Sequence, residues 1–375
     1  MEISAAGRLV VRITAADVGK RVSVRRRDEH AAKGEKYTDT VGVLTSWDDG
    51  VLLITRRTGE RVRIAESALV AGKVVPPAPA RRRGPAASFG ELARVSARAW
   101  PPVESEPLGE WRLRAASGFT RRANSVLPLG DPGLPLDVAL SRVRAWYAAR
   151  GLPAYLQAAT GAEDTHEALC AELEARGWTR EVTAETWIAS LAPLADHAKA
   201  PGAVALTAPG APGAPGAPGA SDSLEAPVVT LSRTADEAWL ARYRRKGLSE
   251  VALRVLGGGP SVWFATVPGA EDGDGTPAAI GRCVVDGRWA GFAAVEVDPA
   301  FRRRGLAITV MAALARRALD EGASAAWLQV ETDNTAARAL YARMGFEAHH
   351  AYHHYRAPEP DRAAAAPGRG TSAPA

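Results

Sequence analysis

The stretch Val295-Glu-Val-Asp-Pro-Ala-Phe-Arg-Arg-Arg-Gly-Leu-Ala307 holds the residue types an anion site needs. A β-like run over 289–297 breaks at Asp298-Pro299, and a helix begins near Gly305. Leu306, Val310 and Leu314 recur at i, i+4 and i+8 and give that helix a buried stripe. Its first-turn N–H groups have no partner within the helix and sit at the positive end of the dipole. An anion can use them, and glycine lets it approach the backbone closely. Neither nucleotide fingerprint fits, since G-x-G-x-x-G and G-x-x-x-x-G-K-[ST] are both absent. The pattern present is R-x-x-G-x-A, at Arg302, Gly305 and Ala307, with Arg303, Arg304 and Leu306 between. Downstream, Asn334 and Tyr341 are seven apart on a predicted helix over 335–344, two turns, and so share a face. Ala336, Leu340 and Met344 form the neighbouring apolar stripe. His349, His350, His353 and His354 crowd the last predicted strand, where alternation pairs His349 with His353 and His350 with His354. Without a Cys or Asp ligand pattern nearby they read as channel-lining or exposed strand positions, and no metal is expected.

The two segments resemble the signatures of the GNAT superfamily of N-acetyltransferases. The turn Val297-Asp298-Pro299 and the loop 302–307 match the family's pyrophosphate loop. The run from Asn334 through Tyr341 to Gly345-Phe346 matches N-x-x-A-x-x-x-Y-x-x-x-G-F. The resemblance covers 228–356 well. It implies acetyl-CoA as co-substrate and direct attack by an amine in a ternary complex. It places acetyl-CoA on Val295, Val297, Arg302, Arg303, Arg304, Gly305, Leu306, Ala307 and Asn334. Tyr341 becomes the acid for the departing thiolate, and its ordinary pKa near 10 suits a thiolate of comparable basicity. Some members carry a glutamate where this chain has Gln329. Two carboxylates are left as candidate bases: Glu331, two residues on, and Glu296, beside the strand residues that should pair with pantetheine.

The elements that must position these residues occur twice. In 138–177 a helix, an apolar strand ending Tyr155-Leu156-Gln157 and a helix closed by Gly177-Trp178 follow one another. In 306–346 the same order ends with Trp327-Leu328-Gln329 and Gly345-Phe346, glycine in both cases suiting a left-handed helix cap. Aligning Gly177 with Gly345 puts Leu173 opposite Tyr341, and the turn 130–135 has no R-x-x-G-x-A. The first copy is therefore expected to be a degenerate GNAT-like lobe, structural or substrate-facing.

Ahead of it, 20–83 carries 15 Lys/Arg against 8 Asp/Glu, so the chain's net charge of +5 is concentrated there. Short alternating runs over 21–27, 38–47, 51–57 and 61–64 are separated by turns at Asp48-Asp49-Gly50 and Thr58-Gly59-Glu60. They predict a small SH3-like barrel, and the layout resembles actinobacterial proteins that join such a barrel to a GNAT region.

The expected division is a barrel over 1–75, a Pro/Arg-rich linker over 76–85 and the degenerate lobe over 86–192. An Ala-Pro-Gly linker over 193–227, a catalytic domain over 228–356 and a disordered tail over 357–375 follow. The expected fold is α/β (α+β), a GNAT fold with a central mixed, mostly antiparallel sheet. Two cysteines cannot build a disulfide framework, the start lacks a signal-peptide pattern, and the longest uncharged run, 200–221, is full of proline and glycine. A cytoplasmic protein with no membrane partner is expected. The alternative to an enzyme is an acetyl-CoA-sensing binding protein whose basic barrel docks nucleic acid or an acidic protein.

Overall fold

The computed structural model describes residues 10–27, 37–76, 84–197, 228–243, 248–270 and 273–359. The Ala-Pro-Gly repeats, most of the Pro/Arg-rich linker and most of the tail lie outside the described residues.

Five strands come first: β1 (Arg21–Arg27), β2 (Tyr37–Asp48), β3 (Val51–Thr55), β4 (Arg61–Ala65) and β5 (Leu69–Val74). They form an antiparallel sheet in the order β4-β3-β2-β1-β5. Alternation puts Val22, Val24, Leu44, Leu52, Ile54 and Ile64 on one buried face. Asp49 and Gly50 both take positive φ, as the tight β2–β3 hairpin requires. The expected closed barrel is not formed among the described residues. β4 passes through a single 3₁₀ turn (Glu66–Ala68) into β5, which pairs with β1, so β4 and β5 remain the two edges.

The next elements are α1 (Phe89–Ala99), β6 (Glu104–Leu108), β7 (Trp111–Ala115), β8 (Leu127–Pro128), α2 (Leu136–Ala148), β9 (Tyr155–Thr160), α3 (Glu167–Ala175), β10 (Thr179–Ser190) and α4 (Leu191–Asp196). After the Ala-Pro-Gly run come β11 (Thr230–Ser232), α5 (Glu237–Arg242), α6 (Glu250–Gly257), β12 (Ser261–Val267), β13 (Ala279–Asp286), β14 (Trp289–Val297), α7 (Leu306–Asp320), β15 (Ala325–Glu331), α8 (Thr335–Arg343) and β16 (Glu347–Arg356). The mixed, mostly antiparallel sheet expected from the sequence is present, with eight strands in the order β11-β12-β13-β14-β15-β10-β16-β9. β14–β15 is its parallel pair.

The strand order carries the main surprise. β10, from before the Ala-Pro-Gly run, lies between β15 and β16, from after it. β16 in turn lies between β10 and β9. The two copies therefore exchange their last strands within one continuous sheet. Ala184 of β10 faces Tyr352 of β16, and a shift of 168 positions turns the first into the second. Thr186 faces Gln329 in β15, while its counterpart His354 faces Gln157 in β9. The register is that of a local two-fold axis through the Ala184–Tyr352 pair, so the repeated element order is also a spatial repeat.

Each face of the sheet has its own core. On one, α7, α4 and α8 pack against Leu328, Val330 and Trp187, while α2 and α3 pack against Leu156 and Tyr355. α7 can approach closely because Gly281 has no Cβ: one there would lie 2.4 Å from Val310 Cγ1. On the other face, α1, α5 and α6 bury Trp239, Trp289, Ile188 and Trp327. The small sheet seats on the first copy. Arg61 pairs with Glu174 at 2.7 Å, Arg180 donates to Gly59 O at 2.6 Å, and Thr160 Oγ1 donates to Arg57 O at 3.0 Å.

Candidate active site

β14 and β15 are paired only over Trp289–Phe292 and Ala325–Leu328. Beyond that point they part. Glu296 and Val297 stay paired to Ile280 and Ala279 of β13, while Gln329, Val330 and Glu331 stay paired to β10. A bulge at Ala294, which takes φ of 51°, bends β14 away. The β14 backbone over 293–297 therefore lacks a strand partner on its β15 side, and these residues are only half-buried although they sit in mid-sheet. Such an edge can hold an extended amide-bearing chain by strand-like hydrogen bonds.

The arginine loop lies directly beyond β14. Asp298 Oδ1 accepts from Ala300 N at 2.7 Å, and Asp298 also pairs with Arg242, which fixes the turn. Arg303 and Gly305 both take positive φ, at 61° and 77°. Gly305 is the residue at the α7 N-terminus, and the left-handed conformation there favours glycine. Arg304 stacks on Phe301 at 5.2 Å. Leu306 is buried, and Ala307 lies in the open first turn behind it. The structure thus brings Val295, Val297 and 302–307 to one end of the opening.

Tyr341 is half-buried on α8 and packs on the same core cluster as Val295 and Val297. Phe346 meets its ring edge-on at 6.0 Å. Burial pushes its hydroxyl up to about 12, so it holds its proton at neutral pH. Asn334 immediately precedes the helix, at the boundary the predicted span 335–344 sets. It stands outside the helix as the α8 N-cap, accepting from Ala337 N at 3.1 Å, because a short amide side chain competes well for free first-turn N–H groups. Glu331 closes β15 and is exposed. It lies on the sheet face of Gln329 and Trp327, away from α8. Glu296 is on that face too, because its neighbours Val295 and Val297 point into the α7 core.

His350 and His354 share a face as alternation predicts, but His349 and His353 do not. β16 bulges at His349, since Thr186 faces His350 while Trp187 faces Ala348. His349 is thereby turned to the α1 side, with Nε2 3.0 Å from Ala87 O and Nδ1 3.0 Å from His350 Nδ1. His353 is clamped between Thr160 and Thr183 at 3.0 and 2.9 Å. Among the described residues no three His, Cys, Asp or Glu side chains come together as a metal set. Cys170 and Cys283 are buried, and burial pushes both thiols up to about 12.

Sequence reasoning missed what the first copy contributes here. Glu185 of β10 accepts from Trp187 Nε1 at 2.8 Å and pairs with Arg338 of α8 at 3.2 Å, holding the helix that carries Tyr341. Arg122, from the turn before β8, donates to Gln329 Oε1 at 2.9 Å. The one signal for these residues was the repeated Leu-Gln that ends both strand motifs. In the small sheet, Lys20, Arg25, Arg56 and Arg61 are ion-paired. No helix among the described residues is long and apolar enough to cross a membrane.

An α+β sheet with a parted parallel pair, an arginine–glycine turn and a helix-borne tyrosine is the arrangement of an acyl-transfer fold. A family model described as "Probable histone acetyltransferase Rv0428c C-terminal" matches residues 87–206 and 217–355, and the chain belongs to that family. A curated relative, the "Probable histone acetyltransferase Rv0428c" of Mycobacterium tuberculosis, is 37% identical over 139 residues, covering 37% of this chain and 43% of the relative. The match thus spans less than half of that relative's length. Among solved structures, a GCN5-related N-acetyltransferase from Kribbella flavida is similar with a TM-score of 0.48 and 17% identity, over 73% of this chain and 97% of that one. A tandem GNAT protein from the clavulanic acid biosynthesis pathway gives 0.49 and 13%, over 75% and 92%.

Proposed function

We propose that the chain is an acetyl-CoA-dependent N-acetyltransferase acting by direct transfer to an amine. The observation that carries this reading is the parting of β14 from β15 beside the α7 N-terminus. It leaves free strand backbone for pantetheine next to free helix N–H groups for pyrophosphate. Val295 and Val297 flank that backbone, and Arg302, Arg303 and Arg304 add positive charge around Gly305 and Ala307. Asn334 supports the site indirectly, by fixing the start of α8.

Acetyl-CoA supplies the activated acyl group, a thioester. Tyr341 Oη keeps a proton that it can release to the leaving sulfur, and its burial excludes water from that transfer. Glu331 and Glu296 lie on the opposite sheet face, where an amine would arrive, and either can take its proton directly or through water. Membership of a family described as histone acetyltransferases adds a lysine side chain to the amines worth testing. Incubation with acetyl-CoA and lysate, followed by mass spectrometry of acetylated products, tests the reading. No acetylated product and no acetyl-CoA consumption would refute it.

A further inference from the structure

Two Arg–Gln pairs stand on the α1 face of the sheet, with both arginines from the first copy, and they are not equally satisfied. In the first copy Arg114 Nη2 donates to Gln157 Oε1 at 2.9 Å and to Ser125 Oγ at 3.0 Å, and its Nε donates to Ser125 O at 2.9 Å. That side chain is buried, and its Nε and Nη2 are met by neutral groups. The other, Arg122, reaches across to donate to Gln329 of the second copy and lies half-buried over Trp100 at 4.8 Å. Arg282 stacks on the same indole at 4.9 Å and is held by three carbonyl oxygens, of Leu256, Ala99 and Gly258.

Among the described residues, none of these three guanidiniums has a carboxylate partner. Burial lowers the pKa of both Arg114 and Arg282, and the neighbouring Arg122 charge acts in the same direction. Positive charge gathered in partly desolvated surroundings without a counter-ion favours an anion. Around this cluster the sheet also carries unsatisfied buried polar atoms. Thr186 Oγ1, opposite Gln329, has no hydrogen-bond partner, and neither ring nitrogen of its two-fold counterpart His354 has one. Thr186 is 1% and His354 3% exposed.

The geometry points to Arg122, backed by Gln329 and Thr186, as the anchor for a carboxylate carried by the amine acceptor. This rests on the acyl-transfer reading above and names its substrate class: an amine whose skeleton also bears a carboxylate. Gln329 is two residues before Glu331 on one strand face, about 6–7 Å along it. An acceptor held by its carboxylate at Arg122 is thereby presented toward the candidate bases. Arg122 forms its guanidinium fork from the first copy, so the degenerate lobe supplies specificity to the active one.

The test is equilibrium binding of N-acetylated products to the full chain saturated with CoA. The probes are N-acetylglycine, N-acetyl-β-alanine and Nε-acetyl-lysine, each against its carboxamide. At least one acid should bind tenfold or more tightly than its amide. Arg122→Gln should bring that ratio within twofold of unity, Arg122→Lys should leave an intermediate ratio, and both should keep wild-type CoA affinity. Acids and amides binding alike in the wild type, no acid binding at all, or a preference that survives Arg122→Gln in a folded variant would each overturn the assignment. Loss of CoA binding by the wild type would instead count against the acyl-transfer reading itself.

Discussion

The two copies share a scaffold and differ at three chemical positions. Where α7 begins with Gly305 behind three arginines, α2 begins after Pro135 and carries Asp137, paired with Arg176, in its first turn. A carboxylate there repels the anion that α7 would attract. Where α8 presents Tyr341, α3 presents Leu173, fully buried in its core. Where β14 and β15 part to leave an opening, Val126 beside β8 stays bridged to β9, donating to Tyr155 O at 2.8 Å and accepting from Gln157 N at 2.9 Å. The first copy has no counterpart of the arginine loop, of Tyr341 or of the opening, yet it keeps the strand. β10 survives because β15 and β16 need it between them.

Separating the copies should have the largest effect. Residues 228–359 expressed alone lack the strand between β15 and β16, and they should show no cooperative unfolding and no acetyl-CoA binding. Co-expression with 84–197 should restore both. An isolated 228–359 fragment that folds and binds would break the argument for obligatory strand exchange.

Next in size is the proposed acid, Tyr341. Tyr341→Phe should lower kcat by about 10²- to 10⁴-fold with acetyl-CoA affinity unchanged. Leu173→Tyr should add no activity, because the first copy lacks the anion loop. Steady-state kinetics with calorimetric affinities would separate the two effects, and a Tyr341→Phe enzyme of normal kcat would remove the tyrosine from the chemistry.

The anion loop sharpens the same contrast. Gly305→Glu places both a side chain at positive φ and a negative charge at the α7 N-terminus, and it should weaken acetyl-CoA binding by roughly 100-fold. Asp137→Ala should leave the stoichiometry at one acetyl-CoA per chain. A second equivalent bound by either protein would mean that the first copy is not silent.

The smallest effect concerns the seat of the small sheet. Burial opposes ionisation of Glu174, but hydrogen bonds from Arg61, Tyr355 and Arg180 outweigh it and hold the carboxyl below its ordinary 4.5. A lowered folded pKa contributes stability above the unfolded value, and that contribution is lost as pH falls through the folded one. Glu174→Gln should therefore cost about 1 kcal/mol at pH 7, with the difference shrinking below about pH 4. Denaturant midpoints at the two pH values check this. A gap that does not change with pH would assign the loss to packing.

Much of the fold was legible because it is local. The helix over 306–320, the hairpin at Asp49-Gly50 and the glycine caps at 177 and 345 follow from periodicity and turn chemistry, which act within a few residues. The arginine loop and Tyr341 were legible as types at fixed spacing. His349 was misplaced because a bulge resets alternation without a sequence mark.

By itself the sequence determined the repeat, the Leu173 that stands where the second copy has Tyr341, and the residue types of the arginine loop, since all of these are properties of neighbours along the chain. Which strand stands beside β15, where β14 turns away, and which arginine meets Gln329 were decided only in three dimensions. Pairing partners of an antiparallel strand are chosen by register and by competition among all available edges. For β10, a strand separated from β15 by more than a hundred residues won that competition.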